Sequence, residues 1–224
     1  MTGQATISKS SSAKMLRAMV GIGVLCGLLI VITYEGTLPR IERLRAEALQ
    51  QAIFRVVPGI VETQPYSLKD NEIIPAEGQD EKLIYAGYDS QGNFKGVAIA
   101  ASGQGYADII RILYGYDPVN QKVIGFYVLE SKETPGLGDK IEKDTKFLSN
   151  FIELDVSLDN DMQAVLNKVV PVKNGTKINP WEVDGITGAT ISSRAIGNII
   201  GNSTEELVPI IYNNQEVFQK KKNE

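Results

Sequence analysis

The sequence predicts an α+β protein: one N-terminal transmembrane helix, then a domain with an antiparallel sheet and packed helices. Three observations predict it. Residues 18–34 form an uncharged apolar run. Between residues 83 and 130, apolar stretches of strand length alternate with turn signals. After residue 190, isoleucines and alanines recur at helical spacing.

Composition limits the chemistry. The chain has 224 residues, 43% hydrophobic and 22% charged, which suits one globular domain plus an appendage. It contains one Cys and no His. Zinc, haem and iron–sulfur sites built by this chain alone are thereby disfavoured, a Ser-His-Asp triad is impossible, and no metal ligands are expected. Any redox chemistry falls to an organic cofactor. The first 34 residues hold Lys9, Lys14 and Arg17 and no acid, so the remainder carries 20 basic and 27 acidic residues, a net of −7. An acidic body argues against nucleic acid as a partner.

The run "AMVGIGVLCGLLIVITY" would make a helix of roughly 26 Å, at the short end for a bilayer span. Arg17 can snorkel at one end and Tyr34 can sit at the other interface, in contact with membrane lipid. Residues 33–36 offer no small-x-small cleavage site, so an uncleaved anchor is expected. The acid-free tail leans toward an N-terminus inside and the acidic body translocated, although Arg40, Arg43 and Arg45 follow the span. Gly23 and Gly27 form a small-xxx-small pair that lets a partner helix approach.

Residues 38–57 have helical periodicity, ended by Pro58-Gly59. Residues 65–80 read as polar and irregular. Four strands of an antiparallel meander follow: "KLIYAGY", "FKGVAIAAS", "ADIIRILYGYD" and "KVIGFYVLES", the first two joined by "DSQGN" and the last two by "PVNQ". Residues 139–151 read as one short helix, "MQAVLNKVV" as helix or strand, and 174–183 as a loop. In "DGITGATISSRAIGNII", Ile191, Ala195 and Ile199 lie on one apolar helix face, with Ile196 and Ile200 beside it. The plain reading of the preceding turn is that Thr190 or Ser192 caps this helix. The expected organisation is a cytoplasmic tail at 1–17, a transmembrane helix at 18–34, a helical connector at 35–60, a folded domain at 61–212 and a polar tail at 213–224.

Two further loops are glycine-rich, "SGQGYADII" and "SKETPGLGDKI". Glycine lets a backbone approach a flat ligand closely. Neither loop is a P-loop or a complete dinucleotide fingerprint.

The order GYxxxI, KETPGLG, D-x-x-T-G-A-T-x-S-S behind one anchor resembles the FMN-binding domain family, most of all the G subunits of Rnf electron-transport complexes. The C subunits of sodium-translocating NADH:quinone reductases share the signature and are the alternative, as is a stand-alone extracytoplasmic FMN-dependent reductase. Asp184, Thr187, Gly188, Ala189, Thr190 and Ser192 fill the flavinylation signature. One departure is Ser131, where close relatives often carry His.

The resemblance implies an extracytoplasmic FMN-binding domain on the periplasmic or extracellular side of the inner membrane. It implies FMN joined covalently through its phosphate to Thr190 by a separate flavin transferase, with Asp184, Thr187 and Ser192 capping the turn or being read by that enzyme. It further implies electron relay within a ferredoxin:NAD oxidoreductase complex coupled to sodium-ion or proton translocation. Other membrane and peripheral subunits would be the partners, and no catalytic residue of its own is expected. Glu133, Thr134, Leu137 and Gly138 are candidates for the wall around the ring, with Lys132 or Lys140 neutralising flavin or phosphate charge.

Overall fold

The computed structural model describes residues 9–69, 71–76 and 83–219. The ends of the expected N- and C-terminal tails, 1–8 and 220–224, lie outside the described residues. The chain divides into two units, Met1–Glu47 and Ala48–Glu224, so residues 48–60 of the expected connector belong to the second.

Helix α1, Lys9–Val56, contains a stretch with a mean hydropathy of 2.4 and no buried residues, and is long and apolar enough to cross a membrane. No break separates span from connector. The helix continues through 35–37 with Pro39 inside it, where proline removes one intrahelical hydrogen bond.

The second unit is built on a seven-stranded antiparallel sheet. Its strands are β1 (Glu62–Lys69), β2 (Glu72–Pro75), β3 (Leu83–Tyr88), β4 (Phe94–Gln104), β5 (Ile109–Asp117), β6 (Lys122–Glu130) and β7 (Leu154–Asp155), in the order β2-β1-β3-β4-β5-β6-β7. The expected meander is β3 to β6. The stretch read as irregular from residue 65 instead contains most of β1 and all of β2. Pro65 hides this hairpin, yet it sits at the very end of the β1–β2 ladder: its carbonyl accepts from the amide of Ala76, just past β2, at 3.2 Å, and only the return bond is lost to the missing N–H.

Alternation along the strands sends side chains to two faces, and both are apolar. On one, Ile84, Val97, Ile99, Ile112 and Tyr114 pack with Ile196, Ile200, Val208 and Ile211 of helix α3, Thr190–Asn213. On the other, Ala98 and Leu113 pack with Ala52, Ile53 and Val56 from the end of α1 and with Val57 just after it. That end fits because Gly115 and Gly125 face each other across β5 and β6. A Cβ on Gly115 would lie 1.9 Å from the Val56 carbonyl oxygen, and one on Gly125 2.3 Å from it.

Three other segments depart from expectation. Residues 139–151 split into a 3-10 turn, Gly138–Glu142, and helix α2, Thr145–Ser149, because the Asp144 carboxylate accepts from the Lys146 and Phe147 amides and starts a new helix. "MQAVLNKVV" is largely irregular and ends in β8, Val170–Val172, which pairs in parallel with β9, Glu182–Asp184, a strand that overlaps the end of the expected loop. In the stretch read as a polar tail, α4 (Glu216–Gln219) buries Phe218 between Tyr66 and Phe94, with ring centroids 5.0 Å apart in each pair.

The glycine notch is directly testable. Gly115→Ala or Gly125→Ala forces the α1 end off the sheet and should lower stability by about 1–3 kcal/mol. Thermal unfolding of the detergent-solubilised chain checks this. Wild-type stability in both variants would show that the notch is not needed.

Candidate functional site

The signature residues straddle the start of α3. Gly188 has φ +84, a left-handed conformation that a side chain would strain. Ala189 is the N-cap, with no side-chain cap, so neither Thr190 nor Ser192 plays the capping part expected of it. The hydroxyls are committed elsewhere. Thr187 Oγ1 accepts from Asn174 Nδ2 at 2.8 Å. Ser192 donates to Glu133 Oε2 at 2.5 Å. Ser193 Oγ accepts from the Ile186 amide and donates to the Thr190 carbonyl. The exposed Thr190 hydroxyl has no hydrogen-bond partner among the described residues.

Glu133, one of the candidate wall residues, is 6% exposed. Its Oε1 accepts from the amides of Tyr106 (2.8 Å) and Ala107 (3.0 Å), within the glycine-rich turn between β4 and β5. The glycines of both loops make room for it. A Cβ on Gly105 would sit 2.5 Å from Oε1, and one on Gly138 2.6 Å from Oε2.

These contacts bring the two glycine-rich loops against the start of α3, around a cavity of about 330 Å³. Glu133, Thr134, Leu137, Gly138, Gly188, Ala189, Thr190 and Ser192 line it, joined by Tyr106 and Ile191. The volume lies within the usual range for small-molecule sites. Sequence reasoning misses Tyr106, although it singles out the loop that carries it. Helical spacing puts Ile191 on the core face, but it is 54% exposed at the cavity, whereas Ala195 and Ile199 are buried. Spacing cannot separate them, because only the later turns of α3 lie over the sheet.

Thr190 also borders a second cavity of about 330 Å³ on its other side, lined by Thr187, Asn174 and the cations Lys173 and Arg194. Asp184 lines neither cavity. Its carboxylate accepts from the Gly175 amide (2.7 and 2.9 Å) and the Thr176 amide (3.4 Å). Its backbone is held at both ends by buried Asn150, whose Oδ1 accepts from the Asp184 amide and whose Nδ2 donates to its carbonyl.

The two candidate lysines are separated. Lys132 donates to Asp108 at 2.6 Å, which holds the Asp108 carboxyl below the usual range and raises the lysine. Lys140 pairs with no carboxylate among the described residues, and its Nζ lies 3.6 Å from where a Gly188 Cβ would be. A roomier cavity of about 460 Å³ between α3 and strands β3 and β4 contains no predicted site residue, and among the described residues Glu206 is the one ionisable group lining it.

Residues 105–205 match the FMN-binding domain family. The G subunit of the ion-translocating oxidoreductase complex of Haemophilus influenzae is 31% identical over 206 residues, covering 89% of both chains. The corresponding G subunit of Methanosarcina acetivorans is 29% identical over 86% of this chain and 92% of its own. Among solved structures, NqrC of Shewanella oneidensis superposes with a TM-score of 0.59 at 17% identity, covering 77% of this chain and 98% of that one. The C subunit of the Na(+)-translocating NADH-quinone reductase of Parabacteroides distasonis gives 0.59 at 20% identity, over 82% and 98%. At these identities the structures show a shared fold.

The role of Asp184 as a loop anchor can be tested. Asp184→Ala leaves the Gly175 and Thr176 amides without their acceptor and should cost about 1–3 kcal/mol. Hydrogen exchange at those two amides should accelerate while the α3 core stays protected. Unchanged protection at 175–176 would exclude the anchoring role.

Proposed function

The chain belongs to the family of G subunits of ion-translocating oxidoreductase complexes, and on that premise we propose that it is a membrane-anchored electron-relay protein holding FMN through a phosphoester on Thr190. The observation that carries the attachment point is the uncommitted Thr190 hydroxyl, at the border of an apolar cavity and a basic one. FMN, when bound, supplies the electron-transfer chemistry that this chain's own side chains lack.

The residues fit that group. A phosphoester needs a free hydroxyl, and Thr187, Ser192 and Ser193 are each engaged in hydrogen bonds. Leu137, Tyr106 and Ile191 offer apolar surface to a flat ring and exclude water from it. Thr134 adds a hydroxyl to the same wall. Lys173 and Arg194 on the other side, and Lys140 near Gly188, supply positive charge for a phosphoryl group.

Attachment requires a separate flavin transferase. A threonine hydroxyl is a weak nucleophile without a base. The nearby carboxylates, Asp184 and Glu133, are occupied by amide and hydroxyl donors, and the chain has no His. With FAD as donor, the Thr190 oxygen bonds to the FMN phosphorus, the bond to AMP breaks, and the hydroxyl proton passes to a base of the transferase. A covalent link prevents loss of the flavin outside the membrane, which suits an N-terminus inside and a translocated domain. Gly23 and Gly27, four residues apart in the apolar stretch of α1, are small enough to let a helix from another subunit approach closely. The 31% identity with a G subunit over 89% of both chains favours this reading over the C-subunit alternative, for which the solved structures give a shared fold at 17% and 20% identity.

Intact mass of chain expressed with a flavin transferase should show one FMN on the wild type and none on Thr190→Ala, with Thr190→Ser partly modified. Flavin retained by Thr190→Ala, on Thr187 or Ser192, would refute the assignment. Leu137→Ala should keep the flavin and shift its midpoint potential, because a wetter face changes the solvation of charge on the ring. A redox titration identical to wild type would remove Leu137 from the wall.

A further inference from the structure

We infer that Glu133 is the positioning residue of this cavity, setting the distance between Tyr106 and the first turn of α3, and so the slot in which a ring is held. The inference rests on the flavin reading above. Glu133 is nine-tenths buried, accepts three hydrogen bonds, and draws its donors from two segments remote in sequence. Oε1 takes the Tyr106 and Ala107 amides, Oε2 takes the Ser192 hydroxyl, and the Glu133 amide is turned inward by donating to Ser131 Oγ at 3.2 Å. One carboxylate therefore ties the turn after β4, the loop after β6 and the start of α3.

Both oxygens are used in these contacts, so Glu133 acts on a ring through the residues it holds. The 105–107 turn has one other backbone tie of its own, from the Gly105 amide to the Asp108 carbonyl at 2.9 Å. Tyr106 is 65% exposed and Leu137 52% exposed, so side-chain burial does not hold them in place. The clip also explains two glycines and one hydroxyl of the motifs together. Gly105 and Gly138 are the positions where a Cβ would strike the Glu133 oxygens, and Ser192 is the signature hydroxyl that donates to it.

A second consequence is electrostatic. The carboxylate is a negative group in the cavity wall, where low dielectric strengthens its repulsion of any added negative charge. Its neutral amide analogue should therefore raise a flavin's midpoint potential.

The test uses the full-length flavinylated chain in detergent, with Glu133→Gln, Tyr106→Leu and the double variant. Intact mass reports attachment, flavin fluorescence reports contact with Tyr106, and redox titration reports the potential. Glu133→Gln should retain FMN, raise fluorescence about twofold or more, and move the potential upward. Tyr106→Leu should raise fluorescence similarly, and the double variant no further, since Glu133 acts through Tyr106. Additive fluorescence effects, or a Glu133→Gln chain with wild-type fluorescence and potential, would overturn the inference.

If Glu133→Gln does not fold, Ser192→Ala removes one arm of the clip and should raise fluorescence, with Ser192→Thr restoring it. Wild-type fluorescence in Ser192→Ala would equally overturn the inference. Amide exchange at 106–107, measured without flavin, should speed about tenfold in Glu133→Gln. That readout separates the two claims. Faster exchange with no FMN on the wild type sinks the flavin reading and the ring-holding role with it, while unchanged exchange sinks the clip itself.

Discussion

A single antiparallel sheet with two apolar faces must be covered twice, and the rest of the domain follows from that constraint. Each isoleucine, leucine or valine left in water would forfeit about 1.5–3 kcal/mol. Helix α3 covers one face and the last turns of α1 cover the other. Both are seated by missing side chains. Gly115 and Gly125 admit the α1 backbone, while a Cβ on Gly103 would meet Ile199 of α3 at 2.6 Å. The last turns of α1, beyond its apolar stretch, are thereby part of the domain core.

Covering the sheet also places the site. The buried apolar residues of α3 run from Ala195 to Ile211, leaving the two residues that open the helix beyond the core. Thr190 and Ile191 are exposed there, and the two glycine-rich loops close around them. The division of labour among neighbouring hydroxyls is a consequence of packing. Ser192 and Ser193 point to buried acceptors and donors, Thr187 faces Asn174, and Thr190 faces solvent between the two cavities. Polar groups that are buried must find partners, which commits Ser192 and Ser193; of the two exposed hydroxyls Thr187 is taken by Asn174, and Thr190 is left available for chemistry.

Charge is distributed on the same principle. Buried or half-buried carboxylates near the site are consumed as structural acceptors, Glu133 by one loop and Asp184 by another. The exposed Asp108–Lys132 pair at the rim neutralises itself. Positive charge without a carboxylate partner among the described residues is left near Thr190, on Lys140, Lys173 and Arg194. A neutral or acidic surround would oppose a phosphoryl group at that hydroxyl, and this arrangement favours one.

Several elements were legible from residue order alone. The apolar span, the four-strand meander, the long C-terminal helix and the glycine-rich loops could all be read locally, because periodicity and turn chemistry act over a few residues. The β1–β2 hairpin was not, since Pro65 masks a strand that tolerates it because the one lost bond falls at the end of the ladder, opposite Ala76. Nor was the burial of Phe218, which depends on Tyr66 and Phe94 far away in the chain. The sequence by itself determined which groups exist: the hydroxyls, the glycines, a glutamate able to be buried, and no histidine. Tertiary structure alone decided which hydroxyl is free, that Tyr106 joins the wall, and that Glu133 and Asp184 serve as anchors. Those outcomes are set by contacts such as Glu133 to Ser192, 59 residues apart, and no local pattern encodes where a long-range hydrogen bond will close.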